Sequence, residues 1–192
     1  FGGMQCSDDR ALPWIYWGRR PRKLEAKIQK GIKSYDDRPI ESIFLGKIEN
    51  TVQQSNRTGD NWFGVIEEFS LPIQLGDSLN WAYTQDEYLN KISHSKFGLC
   101  LAGYGPKCNR EIEYLGLGIV PIVTPQVDMS YYNPLKEGVH YLSVQAAEEI
   151  PDLIQSISKK DWTDISNSGR EWYEINCSRR GSFETTVNII NQ

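Results

Sequence analysis

No stretch of this chain approaches the ~18 consecutive apolar residues that a membrane-crossing helix needs, and its opening residues carry no signal-peptide pattern. It holds no HExxH, no Walker loop, no Ser-His-Asp order and no GxGxxG after a strand. Metalloprotease, P-loop, triad-hydrolase and nicotinamide-dinucleotide readings therefore have no motif to rest on. The four cysteines, Cys6, Cys100, Cys108 and Cys177, include no CxxC pair, which argues against zinc and thioredoxin-type chemistry. Positive charge is short as well: 21 Lys and Arg against 25 Asp and Glu leave a formal net charge of -4. General electrostatic binding of nucleic acid or of an anionic membrane is not expected.

What is present is ordinary for a globular chain. Over 192 residues, 39% are hydrophobic and 24% charged, enough to bury a sizeable core in one domain. Residues 1–22, rich in Gly, Pro, aromatics and Arg without a clear period, read as an arm or incoming connection packed by Trp14, Tyr16 and Trp17. Residues 23–192 read as the domain proper. The basic cluster Arg19, Arg20, Arg22 and Lys23 reads as the solvated start of a helix. The chain opens on Phe1, not Met, which suits a piece of a longer protein. Unpaired thiols fit a cytoplasmic location. The sequons Asn56-Arg57-Thr58 and Asn176-Cys177-Ser178 keep the secretory-pathway lumen as the alternative.

Periodicity divides the domain into alternating strands and helices. Lys23–Ser34 spaces Leu24, Ile28 and Ile32 by four, an amphipathic helix. Ile40–Ile48 reads as a buried strand broken by Gly46, and the polar Glu49–Asn61 as a surface loop. Trp62–Phe69 reads as a second strand or a strand-helix mixture, and Leu71–Asp77 is punctuated by Pro72 and Gly76. Thr84–Ser93 carries a capping-box signature, Thr84 with Glu87. Further on come a loop at Thr124–Asn133, a short strand at Val139–Leu142, and helices near 146–158, 163–176 and 182–190. Such alternation predicts an α/β fold, a Rossmann-like parallel sheet flanked by helices. Ligands of these sheets sit beyond the carboxyl ends of the strands, where Gly46-Lys47, Gly103–Arg110 and Thr124–Asp128 converge.

The most informative stretch is Lys96–Pro121 (KFGLCLAGYGPKCNREIEYLGLGIVP). It reads as a strand (Phe97–Ala102), a glycine-broken turn (Gly103–Pro106), a helix carrying Arg110 and Glu113, and a strand at Gly118–Val123. Arg110 falls in the first helical turn, where the helix dipole favours an anion and a guanidinium fork suits phosphate. Glu113 shares its face one turn on, placed to accept hydrogen bonds from hydroxyls. The same spacing also describes an exposed i,i+3 salt bridge. Gly116 or Gly118 is accounted for as a helix C-cap.

The run SKFGLCLAGYGPKCNREIEYLGLGIVPIV resembles the nucleotide-sugar-binding half of GT-B glycosyltransferases, nearest to exostosin-like members. The likeness lies in Ser95-Lys96-Phe97, the turn Gly103–Gly105, Arg110 with Glu113, and Gly118 through Ile122; it is firm over about 45 residues and loose elsewhere. Fucosyltransferase-type enzymes share the layout. The resemblance implies a domain equal to one half of a GT-B fold, transferring a sugar from a nucleotide-diphosphate sugar to a glycan hydroxyl. Arg110 would neutralise the diphosphate, Glu113 would hold ribose hydroxyls, Gly46 and Lys47 would meet the phosphates, and Arg57 would add a second positive contact. Gly103, Tyr104 and Gly105 would line the donor site, with Tyr104 beside the sugar or base.

The resemblance also implies no cofactor and no metal, since in GT-B enzymes positive side chains and a helix terminus do the neutralising. Trp81 and Tyr83 are candidate acceptor contacts. GT-B enzymes have two such domains, and this chain is too short for both. The catalytic base is therefore unassigned; Asp8, Asp9, His94 and His140 are poor substitutes. An N-terminal acceptor domain or a partner subunit would complete the site. The alternative is a non-catalytic nucleotide- or glycan-binding module acting with a separate partner domain.

Overall fold

The computed structural model describes residues 18–73 and 82–191. Pro21 opens the first helix, α1 (Pro21–Gln29), because its fixed φ and missing N–H suit the first helical position. The helix therefore starts two residues before the expected Lys23, and it ends at Gln29, with Gly31 at φ +108 turning the chain well short of Ser34. Strand β1 (Ile40–Leu45) stops at Gly46. The segment expected to be a loop next forms helix α2 (Thr51–Arg57), capped by the Asn50 side chain, which accepts the Gln53 N–H at 2.9 Å. That helix has no apolar stripe, but no Gly or Pro interrupts it either, and the cap supplies its start.

Trp62–Gly64 is a single 3-10 turn, followed by β2 (Glu68–Ser70). Helix α3 (Gln85–Ile92) has the capping box that Thr84 and Glu87 announce. After it come β3 (Ser95–Cys100), α4 (Asn109–Leu117) and β4 (Val120–Val123). Gly118, at φ +66, is the left-handed cap of α4, which settles the choice between the two glycines. Strand β5 is Leu142–Ser143, displaced toward the carboxyl side of the expected Val139–Leu142. Helices α5 (Ile150–Ser156), α6 (Lys159–Asn176) and α7 (Arg179–Ile190) close the described chain.

The strands form one parallel sheet in the order β2-β1-β3-β4-β5, as expected of the α/β class. Both faces of the central strands are covered, and successive residues alternate between two cores. Ile43, Leu45 and Cys100 join Leu24, Leu89, Ile112, Leu115 and Trp172 on one side. Phe44, Phe97, Leu99 and Ile122 join Trp62, Ile150 and Trp162 on the other. Gly98 in β3 is required by close approach: a Cβ there would lie 2.4 Å from the Tyr114 ring.

Arg38 closes the amino-terminal end of the sheet. It is 1% exposed and donates to the carbonyls of Lys33, Ser93, Ser95 and Leu117, with its guanidinium 5.2 Å from the Trp162 ring. Every direction it faces is used by the fold, so its role is structural. At the opposite end the order of strands has a different consequence. The chain leaves β1 toward β2 on one side and returns to β3 on the other, so the loops after β1 and β3 part and leave a crevice between them.

Candidate functional site

A cleft of about 260 Å³ occupies that crevice. Gly46, Lys47, Arg57, Gly103, Tyr104, Gly105, Arg110 and Glu113 all line it, so one site gathers residues spread over 68 positions of sequence (113 minus 46, plus one). Lys107 and Cys108, within the expected Gly103–Arg110 segment, line it too, as do Arg19 and Gln85, which sequence reasoning did not single out for it.

Two guanidiniums form its positive pole. Arg110, second residue of α4, is 8% exposed and donates through Nη2 to Leu45 O at 3.1 Å and through Nη1 to Leu101 O at 3.5 Å. Its Nε is buried without a hydrogen-bond partner. Arg57, last residue of α2, is 6% exposed and donates to Ala102 O at 3.1 Å and to Lys47 O. Both guanidiniums contact the Phe44 ring, at 4.3 Å for Arg110 and 5.9 Å for Arg57. The chain ends of β1 and β3 thus hold the two arginines by carbonyls and one aromatic face.

No carboxylate lies within 4.0 Å of either guanidinium among the described residues, although other lysines and arginines of the chain are so paired. Burial, reinforced by the like charge of Arg110, pulls Arg57 down to about 10, so it stays protonated at neutral pH. The i,i+3 pair of Arg110 with Glu113 does not form as an exposed salt bridge: both side chains are buried and neither is the other's ion partner.

The strand-terminal glycines make room for these groups. A Cβ on Gly46 would lie 2.6 Å from the Phe44 ring and 3.2 Å from Arg110 Nη2. A Cβ on Gly103 would lie 3.0 Å from Arg57 Nη2. Each glycine therefore fits one guanidinium. Tyr104, 59% exposed, stands at the mouth. Lys47 pairs with Glu49, and Lys107 pairs with Asp128 at 2.7 Å while donating to Asp128 O and Ser130 O.

Glu113 is 2% exposed, and its Oε1 accepts Arg19 N–H at 3.1 Å and Gln85 Nε2 at 3.2 Å. Burial raises its pKa, opposed by those donors and by Tyr88. Cys108 sits at the helix start, its thiol raised to about 11 by burial and by Glu111. Its low acidity makes it a poor nucleophile.

Several expectations fall elsewhere. Thr124–Asp128 does not line the cleft; it braces the glycine turn from behind, through Asp128 N–H to Pro106 O at 2.9 Å. His94 accompanies the α3–β3 turn at the amino-terminal edge, and His140 Nδ1 accepts Lys136 N–H at 2.8 Å before β5. Neither histidine reaches the cleft. Tyr83 packs beside Lys91. Trp81, Asp8, Asp9, Cys6, Trp14, Tyr16 and Trp17 lie outside the described residues. The Asn176 sequon is buried at 3% exposure, its side chain donating to Trp172 O and accepting from Asn133. A glycan has no access there in the folded chain.

Among the described residues no group of three or more His, Cys, Asp or Glu is gathered as metal ligands, and no helix is long and apolar enough to cross a membrane. No family model matches the chain. No curated protein matches it. Among solved structures it is similar to a glycosyltransferase from Rickettsia africae ESF-5, at 12% identity and a TM-score of 0.45, over 93% of this chain and 47% of that one. The chain thus spans about half the length of that structure. At that identity and score the likeness adds nothing to the chemistry of the cleft.

Proposed function

We propose that this chain is the donor-binding domain of a glycosyltransferase, holding a nucleotide-diphosphate sugar whose sugar passes to a glycan hydroxyl. The observation that carries the reading is the pair Arg57 and Arg110: two buried guanidiniums at the carboxyl ends of β1 and β3, neither in a salt bridge with a carboxylate among the described residues. The motif order around Arg110 supports the sugar-nucleotide class, as the exostosin-like resemblance implies.

The diphosphate would lie against both guanidiniums and the start of α4. As the bond to the sugar breaks, negative charge grows on the departing phosphate. Fixed cations and helix N–H groups stabilise that charge with no reorganisation. Lys47 would add a third positive group at the β1 end. Glu113 would offer its remaining acceptor capacity to a ribose hydroxyl, and exposed Tyr104 a ring face to base or sugar.

One observation favours a binding module over a complete enzyme. Among the described residues, the carboxylates lining the cleft are Glu49, paired to Lys47, and Glu113, held by neighbouring donors. No histidine lines it among the described residues. A base for the acceptor would then come from a partner domain. Calorimetric titration of UDP- and GDP-sugars into the chain tests binding. Sugar release, with and without a partner domain, separates turnover from recognition. Absence of binding to any nucleotide or nucleotide-sugar would remove the proposal.

A further inference from the structure

Behind the wall of the cleft lies a carboxyl group that the reading above leaves unused. Glu111 follows Arg110 on α4, is 1% exposed and does not line the cleft. Its Oε2 accepts the Cys108 N–H at 2.7 Å, closing the amino end of the helix, while Oε1 has no hydrogen-bond partner. A buried carboxylate oxygen without a donor is unfavourable as long as it carries charge.

The groups around it come from four elements. Arg57 faces it from α2, Cys100 from β3, Lys107 and Cys108 from the glycine turn, and Arg110, Glu113 and Tyr114 from its own helix. The two thiols and Tyr114 are neutral at pH 7, each raised by burial. Lys107 is matched by Asp128. Two guanidiniums, Arg57 and Arg110, then stand against two carboxyls, Glu111 and Glu113. With both carboxyls ionised the set sums to zero, a poor field for a dianion. Glu113 takes two donors on one oxygen, whereas Glu111 has backbone donors, the Cys108 N–H among them, and its Oε1 is left without a hydrogen-bond partner. Burial also pushes Glu111 up to about 7, against the pull of Arg110.

Resting on the reading of the cleft as a diphosphate seat, we propose that Glu111 takes up a proton when a pyrophosphate diester binds, so that the site gains net positive charge as its ligand arrives. A bound anion near the same helix end disfavours a second negative charge and raises the Glu111 pKa above its free value. Between those two values binding draws a proton from solvent, and affinity falls by up to about tenfold per pH unit as pH rises.

UDP-glucose is the probe, because a diphosphate esterified at both ends does not titrate near neutrality. Calorimetry at pH 7.5 in two buffers of different ionisation enthalpy should show net proton uptake by the unmodified chain. Its affinity should weaken from pH 6.5 to 8. Glu111→Gln keeps an acceptor for the Cys108 N–H and should bind with no uptake and a flat pH profile. Binding by the unmodified chain without proton uptake, or an unchanged slope in the variant, overturns the linkage and leaves the diphosphate reading intact. Failure of UDP-glucose, GDP-mannose and sulfate to bind at all overturns both. Should the variant not fold, the buffer pair on the unmodified chain decides.

Discussion

A Cβ on Gly103 would stand 3.0 Å from Arg57 Nη2 and 2.9 Å from Cys108 Sγ. The glycine after β3 and the arginine ending α2 are fitted to each other, 46 residues apart in the chain (103 minus 57). Gly103→Ala should displace the guanidinium and lower stability by about 1–3 kcal/mol, the usual range for overpacking. Urea unfolding of the variant measures this; a stability equal to the parent's would show that the turn yields freely.

Arg57→Ala and Arg110→Ala should each weaken UDP binding about tenfold to a hundredfold, since a charged hydrogen bond to phosphate contributes roughly 1.5–3 kcal/mol. Lysine at either position should restore only part, because it lacks the planar fork. Isothermal titration of the four variants supplies the numbers. An Arg110→Ala chain that binds UDP like its parent would take that residue out of the site.

Glu111 also sets a pH dependence of stability in the absence of ligand. Its folded pKa of about 7 lies above the ordinary 4.5, so the folded state holds the extra proton between those values. The corresponding stabilisation is present below about pH 4.5 and is lost as pH rises through 7, on the order of 3 kcal/mol in all. Stability of the parent minus that of Glu111→Gln, measured by urea unfolding from pH 5 to 8, should fall with pH. A difference that stays flat would mean the carboxyl is ionised throughout.

Asn176 should carry no glycan when the chain is expressed in a secretory host, as intact mass would show. Asn176→Ala should cost about 1–3 kcal/mol, because the partner groups on Trp172 and Asn133 lose a buried hydrogen bond. Full occupancy of the sequon would contradict the packing of α6.

Local signals carried much of this fold. The Thr84 capping box, the Gly118 cap and the β-turn-α-β order from Lys96 onward all appear where short-range chemistry puts them. Arg57 was harder to read. Its helix has no apolar period and its burial depends on the ends of β1 and β3, which lie far away in sequence, so it passed for a loop residue. Helix α4 hid its chemistry differently. From Arg110 to Leu117 every residue is buried, so no helical face marks which charges look outward. Glu111 drew no reading for that reason, and only tertiary packing makes it a buried acid.

The central claim is that Arg57 and Arg110 together seat a diphosphate, and the side-chain Nε–H resonances of the two arginines report on it directly. On titration with UDP both signals should shift and saturate together, at the dissociation constant found by calorimetry. Saturable binding that moves other residues while these two signals stay still would contradict the account.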